Sequence, residues 1–178
     1  LNAEEWMDIY KRLMHWHMTL GESGDRSMLE ILESQHAEAN HQFVRFVEDN
    51  YEAWMTGLKE APVMSHRVLP EWLPAAIEGA EGRPVFLVVI DNLRWDQWRA
   101  IAPMLRPQWN VLEEKTYFSM LPTTTQYARN ALFAGMTPAD IERVMPDCWI
   151  PESAEGSKNA HEARLQSALF QRLGIQGK

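Results

Sequence analysis

The first part of the chain carries apolar side chains at the spacing of helices. Over residues 3–20 they recur every three or four positions, as on one stripe of an amphipathic helix. They are Trp6, Ile9, Leu13, Trp16 and Leu20. The glycine-containing segment 21–24 ends this helix, and a longer amphipathic helix is predicted after Asp25. We therefore expect an antiparallel pair within an incomplete helical bundle over residues 1–60, with a third helix before residue 1.

The helical periodicity is lost between residues 57 and 83. This stretch holds scattered apolar residues among turn-forming ones, which are Pro62, Pro70, Pro74, Gly79 and Gly82. Such punctuation is typical of irregular chain. We predict a connector over residues 61–83, with the domain boundary inside it.

An α/β pattern follows the connector. Residues 84–90 form a continuous apolar run rich in β-branched residues, which predicts a strand buried on both faces of a parallel sheet. Helices are predicted at 95–105, 126–134, 138–145 and 165–173, and extended chain at 109–120. The predicted fold class is α + α/β, with the partial bundle followed by the first part of an α/β domain at residues 84–178. The abrupt ends suggest a middle piece of a longer protein.

Composition narrows the function classes. With 17 Lys and Arg against 25 Asp and Glu, the net charge is −8, which excludes a general basic surface for nucleic acid or anionic membrane as the main mode of action. The single cysteine, Cys148, excludes an intramolecular disulfide and fits a reducing, cytoplasmic compartment. The longest apolar run has six residues, against the roughly 20 that a membrane-spanning helix needs, so we expect no membrane insertion.

Asp91 stands directly after the predicted strand. Ligands of open α/β sheets bind beyond the carboxyl ends of the strands, so a carboxylate in this position faces the functional edge. An alternative of equal weight is that Asp91 caps the helix that follows, with Asn92 in the same turn. Position alone leaves both open.

Three threonines, Thr123, Thr124 and Thr125, precede the helix predicted at 126–134. Thr123 and Gln126 have the spacing of a capping box, which accounts for one hydroxyl. A helix N-terminus favours phosphate and a developing alkoxide, but it contributes only about 0.3–2 kcal/mol, far too little to ionise an alcohol. A divalent metal lowers the pKa of a coordinated hydroxyl by several units. Asp91 and Thr125 could hold such a metal between them.

Two segments resemble a known family. Residues 88–96 (VVIDNLRWD) and, more specifically, residues 121–138 (LPTTTQYARNALFAGMTP) are similar to the opening of a PglZ domain of the alkaline phosphatase superfamily. The resemblance implies that Asp91 is a metal ligand and that Thr125, three residues after Pro122, is both the nucleophile and a ligand. It also implies two zinc ions in the complete domain. Its further Asp and His ligands lie well downstream, and the only later histidine here is His161.

The order of segments implies partners. A helical bundle directly before a PglZ domain resembles response regulators of type IX secretion, which are cytoplasmic, work with a sensor histidine kinase and are similar to phosphodiesterases that act on nucleotides or oligonucleotides. This resemblance implies a phosphodiester or nucleotide substrate, and a homodimer is a further expected association. The alternative is a non-catalytic signalling and dimerisation module that relays receiver phosphorylation.

Arg129 and Asn130 lie one helical turn past Thr125. Either side chain could donate a hydrogen bond to a phosphate oxygen, so we consider both as candidate substrate-binding residues. Structural roles in the helix are the competing interpretation, and the sequence does not decide between them.

Overall fold

Helices dominate the computed structural model, which describes residues 1–176 apart from the side chain of Glu22. The helices are Ala3–Ser23 (α1), Arg26–Met55 (α2), Ser65–Gly79 (α3), Trp95–Leu105 (α4), Thr125–Ala134 (α5), Pro138–Val144 (α6) and Glu162–Arg172 (α7). The chain divides into two compact units: Leu1–Pro62 with Asn92–Thr116, and Val63–Asp91 with the chain from Tyr117 onward.

The two predicted N-terminal helices are confirmed. Asn2 caps α1 by accepting a hydrogen bond from the Glu5 backbone N–H at 2.9 Å, and the Glu5 carboxylate accepts one from the Asn2 N–H at 2.8 Å. Gly24, with φ 71°, ends α1 in the left-handed conformation, and Asp25 caps α2. Asn2 and Asp25 satisfy amides that have no partner within the helices, which defines where the helices begin.

Aromatic side chains form the interior of the first unit. The ring of Trp6, on α1, packs edge-on against Phe43 of α2, with ring centroids 5.4 Å apart. Trp54 packs on Phe46 in the same way. The short helix α4 belongs to this unit and contacts α1. Lys11 Nζ lies over the Trp95 ring, 5.3 Å from its centroid. Trp6 and Trp54 therefore pack inside the unit as their stripes predict, whereas Trp16, on the same predicted stripe as Trp6, keeps 52% of its accessible surface and does not.

The predicted irregular connector is wrong over residues 65–79, which form α3. Pro70 and Pro74 lie inside this helix, although each removes one backbone hydrogen bond and costs about 3 kcal/mol in an exposed helix. Burial offsets that cost, because Leu69 and Leu73 are almost fully covered. Tertiary packing has overridden the local signal of the prolines.

The predicted strand at residues 84–90 is also not found, and residues 1–176 contain no β-strand. The run is exposed: Phe86 keeps 86% and Val88 77% of its accessible surface. A parallel strand needs neighbours to satisfy its backbone groups, and the described chain supplies none beside this run. An isolated parallel bridge between Met64 and Phe118 is the β-type pairing present, so the α/β part of the predicted fold class is not shown.

Two clusters of buried side chains form the core of the second unit. Leu69 of α3, Leu132 of α5 and Leu169 of α7 pack together in one. The other is formed by Ala134, Ile141, Cys148 and Leu165. Helix α5 contributes to both clusters and contacts α3, α6 and α7, so its position is fixed by neighbours on several sides.

The remaining predicted helices are confirmed with small shifts of their ends. Helix α5 begins at Thr125, α6 ends at Val144, and α7 begins at Glu162. Over the described chain, none of these helices combines the length and apolar composition that a membrane crossing requires.

Gly135, at the end of α5, is required by its surroundings. Its φ is 58°, and an added Cβ would lie 2.6 Å from Leu169 Cδ1 and 2.9 Å from Pro70 Cγ. We expect Gly135→Ala to lower the free energy of unfolding through two costs, about 1–2 kcal/mol for the left-handed backbone and about 1–3 kcal/mol for overpacking. Urea denaturation followed by circular dichroism measures the loss.

Gly174 offers a matched control for this prediction. Its φ is 67°, but nothing lies within 4 Å of an added Cβ. Gly174→Ala should therefore show the backbone cost alone. Equal losses in the two variants would contradict the close approach of α3 and α7 to Gly135.

Candidate functional site

Thr125 and Asp91 meet in the second unit. The Thr125 hydroxyl lies 3.4 Å from Asp91 Oδ2 and donates a long hydrogen bond to it. Asp91 is half exposed, and Thr125 is the first residue of α5. The structure therefore brings together the two residues that the sequence analysis singles out.

Neither residue is used as a helix cap. Arg94 precedes α4, and its backbone N–H donates to the Gln97 side chain at 2.9 Å, so the interpretation of Asp91 as a cap is wrong. The predicted capping box of Thr123 and Gln126 is wrong as well. Thr124 occupies the cap position of α5 without a side-chain cap bond, and the Gln126 amide donates instead to the Ile150 carbonyl at 3.2 Å.

Packing against α3 positions the chain that enters α5. The Phe118 N–H donates to the Val63 carbonyl at 2.9 Å. The Met120 N–H donates at 3.0 Å to the hydroxyl of Ser65, which is 2% exposed. The peptide between Leu121 and Pro122 is cis. The threonine-containing turn therefore starts from a buried, hydrogen-bonded anchor.

Arg129 shares the acceptor oxygen of Thr125. The two residues lie four positions apart on α5 and so occupy one face of the helix. Arg129 Nη1 donates to Asp91 Oδ2 at 2.9 Å, and Arg129 Nε donates to Glu162 Oε1. The guanidinium thus lies between two carboxylates, and this arrangement carries a formal charge of −1.

Asn130 is 1% exposed and takes part in a buried hydrogen-bonded chain. Its Nδ2 donates to the Lys158 carbonyl at 3.0 Å, and its Oδ1 accepts from Asn159 Nδ2 at 2.8 Å. The same Asn159 amide donates to the Thr125 carbonyl at 3.1 Å. The predicted substrate-binding roles of Asn130 and Arg129 stay predictions, since these contacts are to the protein itself.

Asp91 also acts on a nearby phenol. Burial raises the pKa of Tyr117, and the negative charge of the Asp91 carboxylate raises it further. The ring of Tyr117 packs on Trp72 with centroids 6.2 Å apart. The Asp91 charge therefore acts on a phenol with which it makes no hydrogen bond.

The distance between Thr125 Oγ1 and Asp91 Oδ2 lies in the range of two oxygen ligands of one metal ion. Two oxygen ligands of one tetrahedral zinc ion lie about 3.3–3.6 Å apart when each Zn–O bond is about 2.0–2.2 Å. The 3.4 Å between Thr125 and Asp91 fits two such ligands. Among residues 1–176, no group of three His, Cys, Asp or Glu side chains could hold a metal, and the pair supplies two oxygen donors.

The contacts of two residues, Asn159 and Glu162, with the site were not predicted from the sequence. Gly156 and Ser157 indicate a turn, and an acidic residue is typical of the first helical turn, which marks Glu162 as the start of α7. Neither signal reveals contacts to residues about 30 positions earlier. Long-range pairing of this kind is not encoded in local periodicity.

Comparison with known proteins assigns the family. Residues 71–175, more than half of the chain, match the family described as the BREX system PglZ alkaline phosphatase-like domain. The chain belongs to this family, which confirms the resemblance found in the sequence. Residues 1–55 match the PorX response regulator linker domain. A search of curated proteins gives no match. The two domains together fit a response regulator with a phosphatase-like effector, and the linker suggests signalling partners.

The pKa of Tyr117 offers a test of the site's electrostatics. Asp91→Asn removes the nearby charge but leaves the burial, so we expect the pKa to fall while staying above its ordinary value of 10.0. NMR of tyrosine labelled with 13C at Cζ measures it, with Tyr117→Phe assigning the signal. The folded protein holds the phenolic proton of Tyr117 more tightly than the unfolded chain does. The resulting contribution to the free energy of unfolding is fully present below pH 10 and is lost as the pH rises through the raised pKa.

Glu152→Gln serves as the control. Glu152 accepts a hydrogen bond from the Tyr127 hydroxyl at 2.9 Å and raises the pKa of that phenol. This variant should lower the pKa of Tyr127 and leave that of Tyr117 unchanged. An unchanged Tyr117 pKa in Asp91→Asn would contradict the placement of the Asp91 carboxylate.

Proposed function

We propose that this chain belongs to a two-component response regulator whose effector is a zinc-dependent phosphodiesterase or phosphatase with Thr125 as its nucleophile. The observation that carries the proposal is the 3.4 Å contact of the Thr125 hydroxyl with Asp91 Oδ2. It occurs at the first residue of α5, in a chain that belongs to the PglZ family. A threonine hydroxyl beside a carboxylate is the arrangement that a metal-activated threonine nucleophile requires.

In the proposed reaction the phosphoryl group is transferred twice. Thr125 Oγ1 forms a bond to phosphorus while the bond from phosphorus to the leaving oxygen breaks, and the hydroxyl proton passes to solvent. The leaving oxygen takes up a proton from water. A second water then cleaves the phosphothreonine ester and restores the hydroxyl. Covalent catalysis of this kind divides one difficult step into two easier ones.

The residues of this chain orient and stabilise the reacting groups. The N-terminus of α5 directs backbone N–H groups and the positive end of the helix dipole toward a phosphate at Thr125. Asp91 and Thr125 would be two ligands of zinc, which when bound supplies the lowered pKa of the hydroxyl and neutralises charge on the phosphate oxygens. Arg129 holds the carboxylate in its place beside the hydroxyl.

The biological context of the proposal rests on the linker. The match of residues 1–55 to the PorX response regulator linker domain supports a role in regulating type IX secretion, in the cytoplasm, downstream of a sensor histidine kinase. The alkaline phosphatase-like assignment supports a nucleotide or oligonucleotide substrate for the proposed phosphodiesterase. A homodimer belongs to the same proposal.

A second candidate function is a non-catalytic signalling module. It is favoured by the state of Asp91, whose Oδ2 is paired with Arg129, and by the signalling character of the linker match. In such a module the phosphatase-like domain would bind protein partners and the bundle would relay receiver phosphorylation. Activity of the intact protein separates the two candidates.

Thr125→Ala and Asp91→Ala test the proposed chemistry in the full-length protein. Each should abolish zinc-dependent hydrolysis of an activated phosphodiester, because one removes the attacking oxygen and the other a proposed ligand. Helical circular dichroism should not change, since Thr125 makes no cap bond and Asp91 is half exposed. Thr123→Ala, at an exposed position in the same turn, is the matched control and should keep full activity. Turnover retained by Thr125→Ala would disprove the proposal.

A further expectation concerns the 178-residue chain on its own. The part that the structure describes brings only two oxygen donors to the proposed zinc position, and zinc sites in proteins need three or four protein ligands. We expect weak zinc binding by calorimetry and no measurable turnover of the same phosphodiester. Robust turnover by this chain would show that the assigned ligand set is wrong.

A further inference from the structure

The turn that leads into α7 contacts both members of the Thr125–Asp91 pair. We propose that residues 159–162 are the positioning element of this pair, with Asn159 and Glu162 as positioning residues. Asn159 acts on the backbone that carries Thr125, and Glu162 acts on Asp91 through Arg129. The inference rests on the proposed function of Thr125 and Asp91.

Asn159 links the start of α5 to a buried residue. Its amide nitrogen has two protons, and it donates to the Thr125 carbonyl at 3.1 Å and to Asn130 Oδ1 at 2.8 Å. Asn130 is in turn fixed by burial and by its bond to the Lys158 carbonyl at 3.0 Å. One side chain therefore fixes the Thr125 backbone relative to the second turn of the same helix, and the hydroxyl follows that backbone.

Glu162 acts on the other member through a guanidinium. Arg129 is planar and holds its donors in a fixed fork, so the bond from its Nε to Glu162 determines where Nη1 points. That nitrogen lies 2.9 Å from Asp91 Oδ2, the same oxygen that accepts the Thr125 hydroxyl. Glu162 thereby orients the carboxylate without touching it.

The buried helix α7 supports both positioning residues. Glu162 is the first residue of α7 and Asn159 lies three residues before it; Leu165 and Leu169 of this helix are at most 1% exposed. The Lys158 ammonium group donates to the Pro151 carbonyl at 2.8 Å and so closes the preceding loop. Motion of this turn would displace Thr125 and Asp91 together, which is what a positioning element requires.

The ion pair between Arg129 and Asp91 is not explained by stability alone. The Asp91 side chain is 48% exposed, and exposed pairs of this kind contribute only about 0–1 kcal/mol to stability. Glu162 also favours the N-terminus of α7 through its charge, which is a purely structural role. The two roles differ in what they demand: the helix terminus needs a negative charge, whereas Arg129 needs an acceptor oxygen in the right place.

Variants of the full-length protein separate these roles, with an activated phosphodiester as the substrate. Glu162→Ala removes the acceptor, and we expect kcat to fall about 10- to 100-fold, as for other residues that orient ligands, with KM changed less than threefold. Glu162→Gln lacks the charge but keeps an acceptor oxygen for Arg129, so it should recover part of the lost kcat. Equal kcat in the Ala and Gln variants would overturn the role of Glu162.

Asn159→Ala and the near-isosteric Asn159→Asp test whether Asn159 positions the Thr125 backbone. Both lose the donors to Thr125 and Asn130, and we expect the same fall in kcat from each. Urea denaturation is measured in parallel, and Asn159→Asp serves where Asn159→Ala fails to fold. Lowered stability with unchanged kcat would mean that Asn159 is only structural, and would overturn its role.

Two further variants make the outcome specific. Glu155→Gln neutralises an exposed carboxylate in the same loop and should leave kcat unchanged. Thr125→Ala reports on the underlying proposal: retained turnover in that variant disproves the nucleophile itself. An inactive Thr125→Ala variant alongside fully active Asn159→Ala and Glu162→Ala would leave the nucleophile in place and disprove the positioning element alone.

Discussion

Asp91 Oδ2 accepts hydrogen bonds from two directions, the Thr125 hydroxyl at 3.4 Å and Arg129 Nη1 at 2.9 Å. Both donors come from one face of α5, so the helix approaches the carboxylate as a single rigid part. This shared oxygen links a loop at residue 91 to a helix that begins 34 residues later. The geometry of the site therefore depends on how firmly α5 is held, and buried leucines of α3 and α7 hold it.

The helical parts of the fold could be predicted where local signals agree. Caps and periodicity coincide at Asn2 and Asp25, and the predicted helices begin there. Helix α3 could not be predicted, because Pro70 and Pro74 are read locally as breakers while its stability comes from burial of leucines against distant helices. The prediction of a strand over residues 84–90 was wrong for the opposite reason. Its local pattern is strong, but a strand also needs partners, and a sequence pattern does not supply them.

The candidate site was predictable in part. Asp91 and Thr125 are marked by local patterns, a carboxylate after an apolar run and hydroxyls before a helix, and the structure brings them together. Arg129 is bound by Glu162 and the buried Asn130 accepts a hydrogen bond from Asn159, and these two partners lie 33 and 29 residues further along the chain. Pairing across such distances is a property of tertiary packing, so the roles of these residues became visible only with coordinates.

The uncovered apolar run at residues 84–90 has a practical consequence. Its backbone has no strand partner within the described residues, and its β-branched side chains face solvent. Short, uncharged segments of this type pair readily with copies of themselves. Self-association at high protein concentration is then expected to start from this run, and a lysine in place of Val88 would act as a gatekeeper against it.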